Sequence, residues 1–120
     1  MPVTEAVVEA VRLLARRLDA KLVVVSTKSG RTALALSKQR YAPPTVALAD
    51  DLGVARSLAL CWGVTPLFRP AAAGPEDSTA LACGWALTHG LAAPGDNVLV
   101  VQGTTPNHPG HNAVIVRQVE

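Results

Sequence analysis

Hydrophobic and polar residues form blocks along the chain, and the spacing within each block predicts one kind of element. Apolar residues recur every three or four positions between Thr4 and Leu18, which predicts an amphipathic helix with Thr4 as its cap. The same helical spacing returns further along the chain, at residues 31–39, 52–60 and 78–89. Apolar runs typical of strands lie between these helices, at residues 21–26, 45–49, 63–68, 97–103 and 113–119.

The order of these elements predicts a fold class. Strands that alternate with helices predict a three-layer α/β/α sandwich around a mostly parallel five-stranded sheet. The last strand follows a nine-residue loop without a helix, so we expect it to be antiparallel to its neighbour and more exposed. Pro66 lies inside the third strand and predicts an edge position or a bulge. No repeat or internal boundary is visible, so residues 1–120 are expected to form a single domain.

Composition and charge narrow the class of protein. The 120 residues are 49% hydrophobic and 17% charged, which is typical of a globular chain, and a net charge of +2 does not suggest a nucleic-acid partner. No stretch approaches the ~20 apolar residues of a membrane span, and the N-terminus does not resemble a signal peptide. We therefore expect a cytoplasmic protein without a membrane partner. Cys61 and Cys83 lie in apolar segments and are expected to be buried, reduced thiols.

The polar segment after the first strand is the most informative candidate site. In open α/β sheets, ligands bind beyond the carboxyl ends of the strands, where the N–H groups of the next helix attract anions. This segment offers hydroxyls, positive charge and a glycine, and it comprises Thr27, Lys28, Ser29, Gly30, Arg31 and Thr32. Its glycine spacing matches neither GxGxxG nor GxxxxGK[ST], so a phosphate monoester is favoured over a nucleotide. The alternative is a plain helix cap surrounded by solvated cations.

Other chemistry-bearing residues have structural explanations that are at least as good. Asp50 and Asp51 could be a carboxylate pair, but a helix cap after a strand is favoured. His108 and His111 lack further metal ligands at suitable spacing and are expected to line a pocket instead. His89 next to Gly90 suits a helix C-terminus, and Trp62 and Trp85 are expected in the core or at an interface. No nucleophile and base can be assembled, so the chain is expected to bind a ligand rather than to catalyse.

Several motifs together resemble one known family. The sequences "TKSGRTA", "QRYAP", "TVALA", "ARSLALCWGV" and "PGDNVLVVQGTTPNHPGHNAVIVRQV" resemble the C-terminal domain of pyruvate kinase, and the likeness covers essentially the whole chain. The resemblance implies a regulatory α/β domain that binds a phosphorylated effector and contributes a subunit interface. It places the effector phosphate on residues Thr27 to Thr32. It also implies that a second segment closes over the effector, comprising Gly103, Thr104, Thr105, Pro106, Asn107, His108 and Gly110.

The chain also departs from the family pattern. Between Pro70 and Asp77 it has neither the Trp nor the Arg that the family uses for a second phosphate, and "TTPNHP" carries no cation. The expected ligand is therefore a monophosphate or an inorganic anion, or the site is vestigial. The expected partners are this ligand, a second copy in a homo-oligomer, and a catalytic pyruvate kinase barrel.

The resemblance also implies what this chain should lack. The catalytic (β/α)8 barrel is not in the sequence, and Mg²⁺ and K⁺ would belong to that barrel. We therefore expect no cofactor in this chain and no pyruvate kinase activity from it alone. Two alternatives remain open. One is a small enzyme acting on a phosphorylated metabolite, with His108 or Asp50 as acid or base, and the other is a dimerisation module with an empty anion loop.

Overall fold

A computed structural model describes residues 3–27, 33, 36–38, 43–49, 52–61, 63–68, 75–102 and 113–119. The helices are α1 (Val3–Leu18), α2 (Leu52–Leu58) and α3 (Pro75–Thr88). The strands are β1 (Leu22–Thr27), β2 (Thr45–Ala49), β3 (Val64–Phe68), β4 (Asn97–Gln102) and β5 (Ala113–Gln118). Residues 33 and 36–38 are also helical, in agreement with the helix predicted over 31–39.

The five strands form one sheet in the order β3-β2-β1-β4-β5. Neighbouring strands are parallel from β3 to β4, and β5 is antiparallel to β4. The predicted sheet is therefore confirmed, including the direction of its last strand. Pro66 lies in β3, which is an edge strand as predicted. An edge strand pairs on one side only, so it tolerates a residue that has no N–H group.

Helices cover both faces of the sheet. Consecutive strand residues point to opposite sides, so each central strand contributes to a hydrophobic cluster on each face. Val23 and Val25 of β1 pack with Val11 of α1 in one cluster. On the other face, Val24 packs with Ala82 of α3. Ala47 is aligned with Val25 and packs with Leu58, so α2 lies on the same face as α1. The predicted three-layer α/β/α sandwich is confirmed.

Some helix boundaries differ from the predictions: α2 ends at Leu58 and α3 at Thr88, slightly before the predicted ends at residues 60 and 89. Thr4 lies within α1 rather than capping it, because the helix already begins at Val3. The helix predicted from residue 78 begins at Pro75. A proline suits the first helical position, since its missing N–H group has no partner there and its φ angle is already helical. The acidic residues Glu76 and Asp77 follow it, a position that favours negative charge.

The last strand has the exposure expected of it. The first three residues of β5 are half-buried and the last three are exposed, whereas the middle four residues of β4 are buried.

Within the described part of the chain, no helix is long and apolar enough to cross a membrane.

Candidate functional site

The geometry of the candidate site follows from the position of β1 in the middle of the sheet. β1 pairs with β2 on one side and with β4 on the other, and all three strands run in the same direction. The helical residue Ala33, which follows β1, packs on the face that holds α1 and α2, whereas α3, which precedes β4, packs on the opposite face. The boundary between β1 and β4 is therefore a topological switch point, where open α/β sheets form their ligand crevice.

Both predicted binding segments begin at this switch point. The segment 28–32 follows Thr27, the last residue of β1, and the segment 103–112 follows Gln102, the last residue of β4. Val25 of β1 pairs with Val101 of β4, so the two strands end at almost the same level. The sequence alone placed both segments beyond strand ends, and the strand order makes those two strands neighbours.

Most of the predicted site residues lie outside the described residues. Thr27 ends β1, and the structure describes its backbone. The remaining predicted ligands, Lys28 to Thr32 and Gly103 to Gly110, fall in the segments that are not described. The same holds for Asp50, Asp51 and His111, so the assignments of these residues stay predictions. Among the described residues, no three His, Cys, Asp or Glu side chains come together to hold a metal ion.

Two polar residues at the switch point were not predicted as site residues. Ser26 and Gln102 are half-buried, and each follows directly after a residue of the aligned pair Val25 and Val101 in β1 and β4. Strand alternation puts both on the face of Val24 and Val100, which α3 covers. A polar residue at the end of an otherwise apolar strand was the signal in the sequence that could have identified them.

The two cysteines lie on opposite faces of the sheet. Cys61 packs beside the cluster of Ala47, and Cys83 beside the cluster of Val24. Both are free thiols, as predicted, and both pack against core clusters, but they are half-buried rather than buried. Partial burial raises the pKa of the Cys83 thiol above its ordinary value, and the nearby Arg117 charge acts in the opposite direction. A thiol that resists ionisation is a poor nucleophile.

His89, the histidine that lies among the described residues, is at the end of α3. α3 ends at Thr88, one residue before the predicted end, and His89 and Gly90 lie at its C-terminus as predicted. The Nδ1 atom of His89 hydrogen-bonds to the Trp85 carbonyl oxygen at 2.8 Å, and the two rings stack with centroids 4.5 Å apart. Trp85 is half-buried against the core cluster of α3. These contacts give His89 and Trp85 a structural role in terminating the helix.

Comparison with known proteins identifies the family. The model of the family described as "Pyruvate kinase, alpha/beta domain" matches residues 5–116. The chain belongs to this family. A pyruvate kinase from Lactococcus lactis subsp. lactis is 35% identical over 118 residues, and one from Agrobacterium vitis is 38% identical over 98 residues. These matches cover 98% and 82% of this chain, and 24% and 21% of the two relatives.

A solved structure gives the same result. A crystal structure of a pyruvate kinase from Cryptosporidium parvum matches with a TM-score of 0.89 and 25% sequence identity, covering 100% of this chain and 23% of that chain. The resemblance to the C-terminal domain of pyruvate kinase is therefore confirmed. This pyruvate kinase domain spans about a quarter of the length of the relatives that it matches.

Proposed function

We propose that this pyruvate kinase α/β domain is a regulatory and assembly domain that binds a phosphorylated effector or an inorganic anion. The observation that carries the proposal is the pairing of β1 with β4 at the switch point. It brings the starts of two segments together, and these are the segments that the family resemblance assigns to the effector phosphate and to the loop that closes over it. Membership of the family supports the same assignment.

The chemistry of the first segment suits a single phosphate group. Lys28 and Arg31 supply two positive charges, and Thr27, Ser29 and Thr32 supply hydroxyl donors. Gly30 allows the backbone to approach the ligand closely. A helix that starts after this segment offers unpaired N–H groups to an anion. The second segment has no lysine or arginine, so we propose a monophosphate or a simple anion as the ligand.

Regulation would follow from binding of the effector by the two segments. A bound phosphate would hold residues 27–32, and residues 103–112 would close over it. These residues connect β4 to β5, the edge strand whose last three residues are exposed. We therefore propose that effector binding changes the position of β5 and with it an interface between copies of the chain. A ligand that binds one arrangement better than the other shifts the population by that difference in affinity.

Thermal unfolding tests the binding proposal directly. The domain is titrated with inorganic phosphate and with a sugar monophosphate, and the unphosphorylated sugar serves as the ligand control. A ligand at about 100 times its Kd adds roughly 2.7 kcal/mol to the free energy of unfolding, so the melting temperature should rise with phosphate concentration. Replacing both Lys28 and Arg31 with alanine should abolish this rise.

The matched control for charge is Lys38→Ala. Lys38 is exposed and helical, and it lies outside the predicted site but close to it in sequence. Its replacement removes a positive charge and should leave the phosphate-dependent rise intact. An equal rise in the Lys28 and Arg31 double variant, or no rise in the unmodified domain, would contradict the proposal.

A further inference from the structure

We draw no further inference here: the strongest candidate, the surface groove on α1 whose described lining is the exposed side chains of Glu9, Arg12, Leu13 and Arg16, carries none because nothing in the described part of the structure shows what covers it.

Discussion

At the scale of single residues, the pKa of Cys83 is raised by burial and lowered by a neighbouring charge. Partial burial disfavours the thiolate and is the larger effect, whereas the Arg117 guanidinium favours the thiolate. The net result is that the pKa of the Cys83 thiol is raised above its ordinary value. Sequence analysis assigned Cys83 to an apolar environment, but it could not reveal Arg117, which lies on β5 and is brought close only by the fold.

This balance predicts the reactivity of Cys83. In a Cys61→Ser background, alkylation by iodoacetamide at pH 8 should be slower in the folded domain than in urea, because less thiolate is present. Arg117→Ala removes the favourable charge and should slow alkylation further, whereas Arg56→Ala on α2 should not. Faster alkylation in Arg117→Ala would contradict the assignment.

The same shift has a consequence for stability with a definite sign. Since the pKa is raised in the folded state, the unfolded chain loses its thiol proton first as pH rises. The contribution of Cys83 is complete below the pKa of the unfolded thiol and is lost as pH rises through the higher pKa of the folded state. The free energy of unfolding should therefore fall less between pH 8 and pH 10 in Cys83→Ala than in the unmodified domain.

At the scale of elements, α1 and α3 end in the same way with different residues. At the end of α1, the Ala20 N–H group donates to the Ala15 carbonyl at 3.0 Å, and Asp19 has a φ angle of 49°. At the end of α3, the Leu91 N–H group donates to the Ala86 carbonyl at 2.9 Å, and Gly90 has a φ angle of 71°. Both are Schellman motifs, in which a left-handed residue terminates the helix.

The difference between Asp19 and Gly90 predicts opposite effects of substitution. Asp19→Gly should raise the free energy of unfolding by about 0.5–1 kcal/mol, because glycine adopts a positive φ without strain. The substitution also removes the exposed ion pair between Asp19 and Lys21, which contributes little to stability. Gly90→Ala should lower it by about 1 kcal/mol. Urea unfolding measures both changes. Gly84→Ala is the control, because this glycine lies within α3 and its replacement should be stabilising. A stabilising Gly90→Ala would contradict this explanation.

Most elements could be predicted because their sequence patterns have clear physical causes. The strands of the sheet were found from apolar runs, and Pro66 correctly identified the edge strand β3. The first turn of α3 was missed because its proline and acidic residues resemble a loop, although they suit the start of a helix. The order of the strands could not be derived, because pairing depends on contacts between residues far apart in sequence.

At the scale of the whole molecule, the strand order shows that the two predicted binding segments follow neighbouring strands. Polar residues follow three of the strands, at positions 27–32, 50–51 and 103–110, but nothing in the sequence indicated which of these strands are neighbours. The parallel pairing of Val25 with Val101 makes β1 and β4, the strands that precede residues 28–32 and 103–112, direct neighbours, and the pairing of Thr27 with Ala49 puts β2 on the other side. The positions of Lys28 and Arg31 themselves remain predictions.

The exposed end of β5 allows the assembly proposal to be tested on the whole molecule. We expect size-exclusion chromatography with light scattering to show a dimer whose fraction increases with concentration. Val116 is 45% exposed on this edge strand, so Val116→Lys should shift the equilibrium towards monomer, since a lysine on an edge opposes strand pairing. Leu13→Lys on α1 is the control. A strictly monomeric chain at high concentration would contradict the assembly role.

The central position of β1 also has a consequence for how the chain folds. β1 precedes the other four strands of the sheet along the chain, and it can pair with β2 after a short connection. Its other edge pairs with β4, whose residue Val101 comes late in the chain. Until then, an apolar strand with one open edge is available to other chains. Folding should therefore be limited by this late, long-range pairing, and a chain interrupted before β4 should aggregate rather than fold.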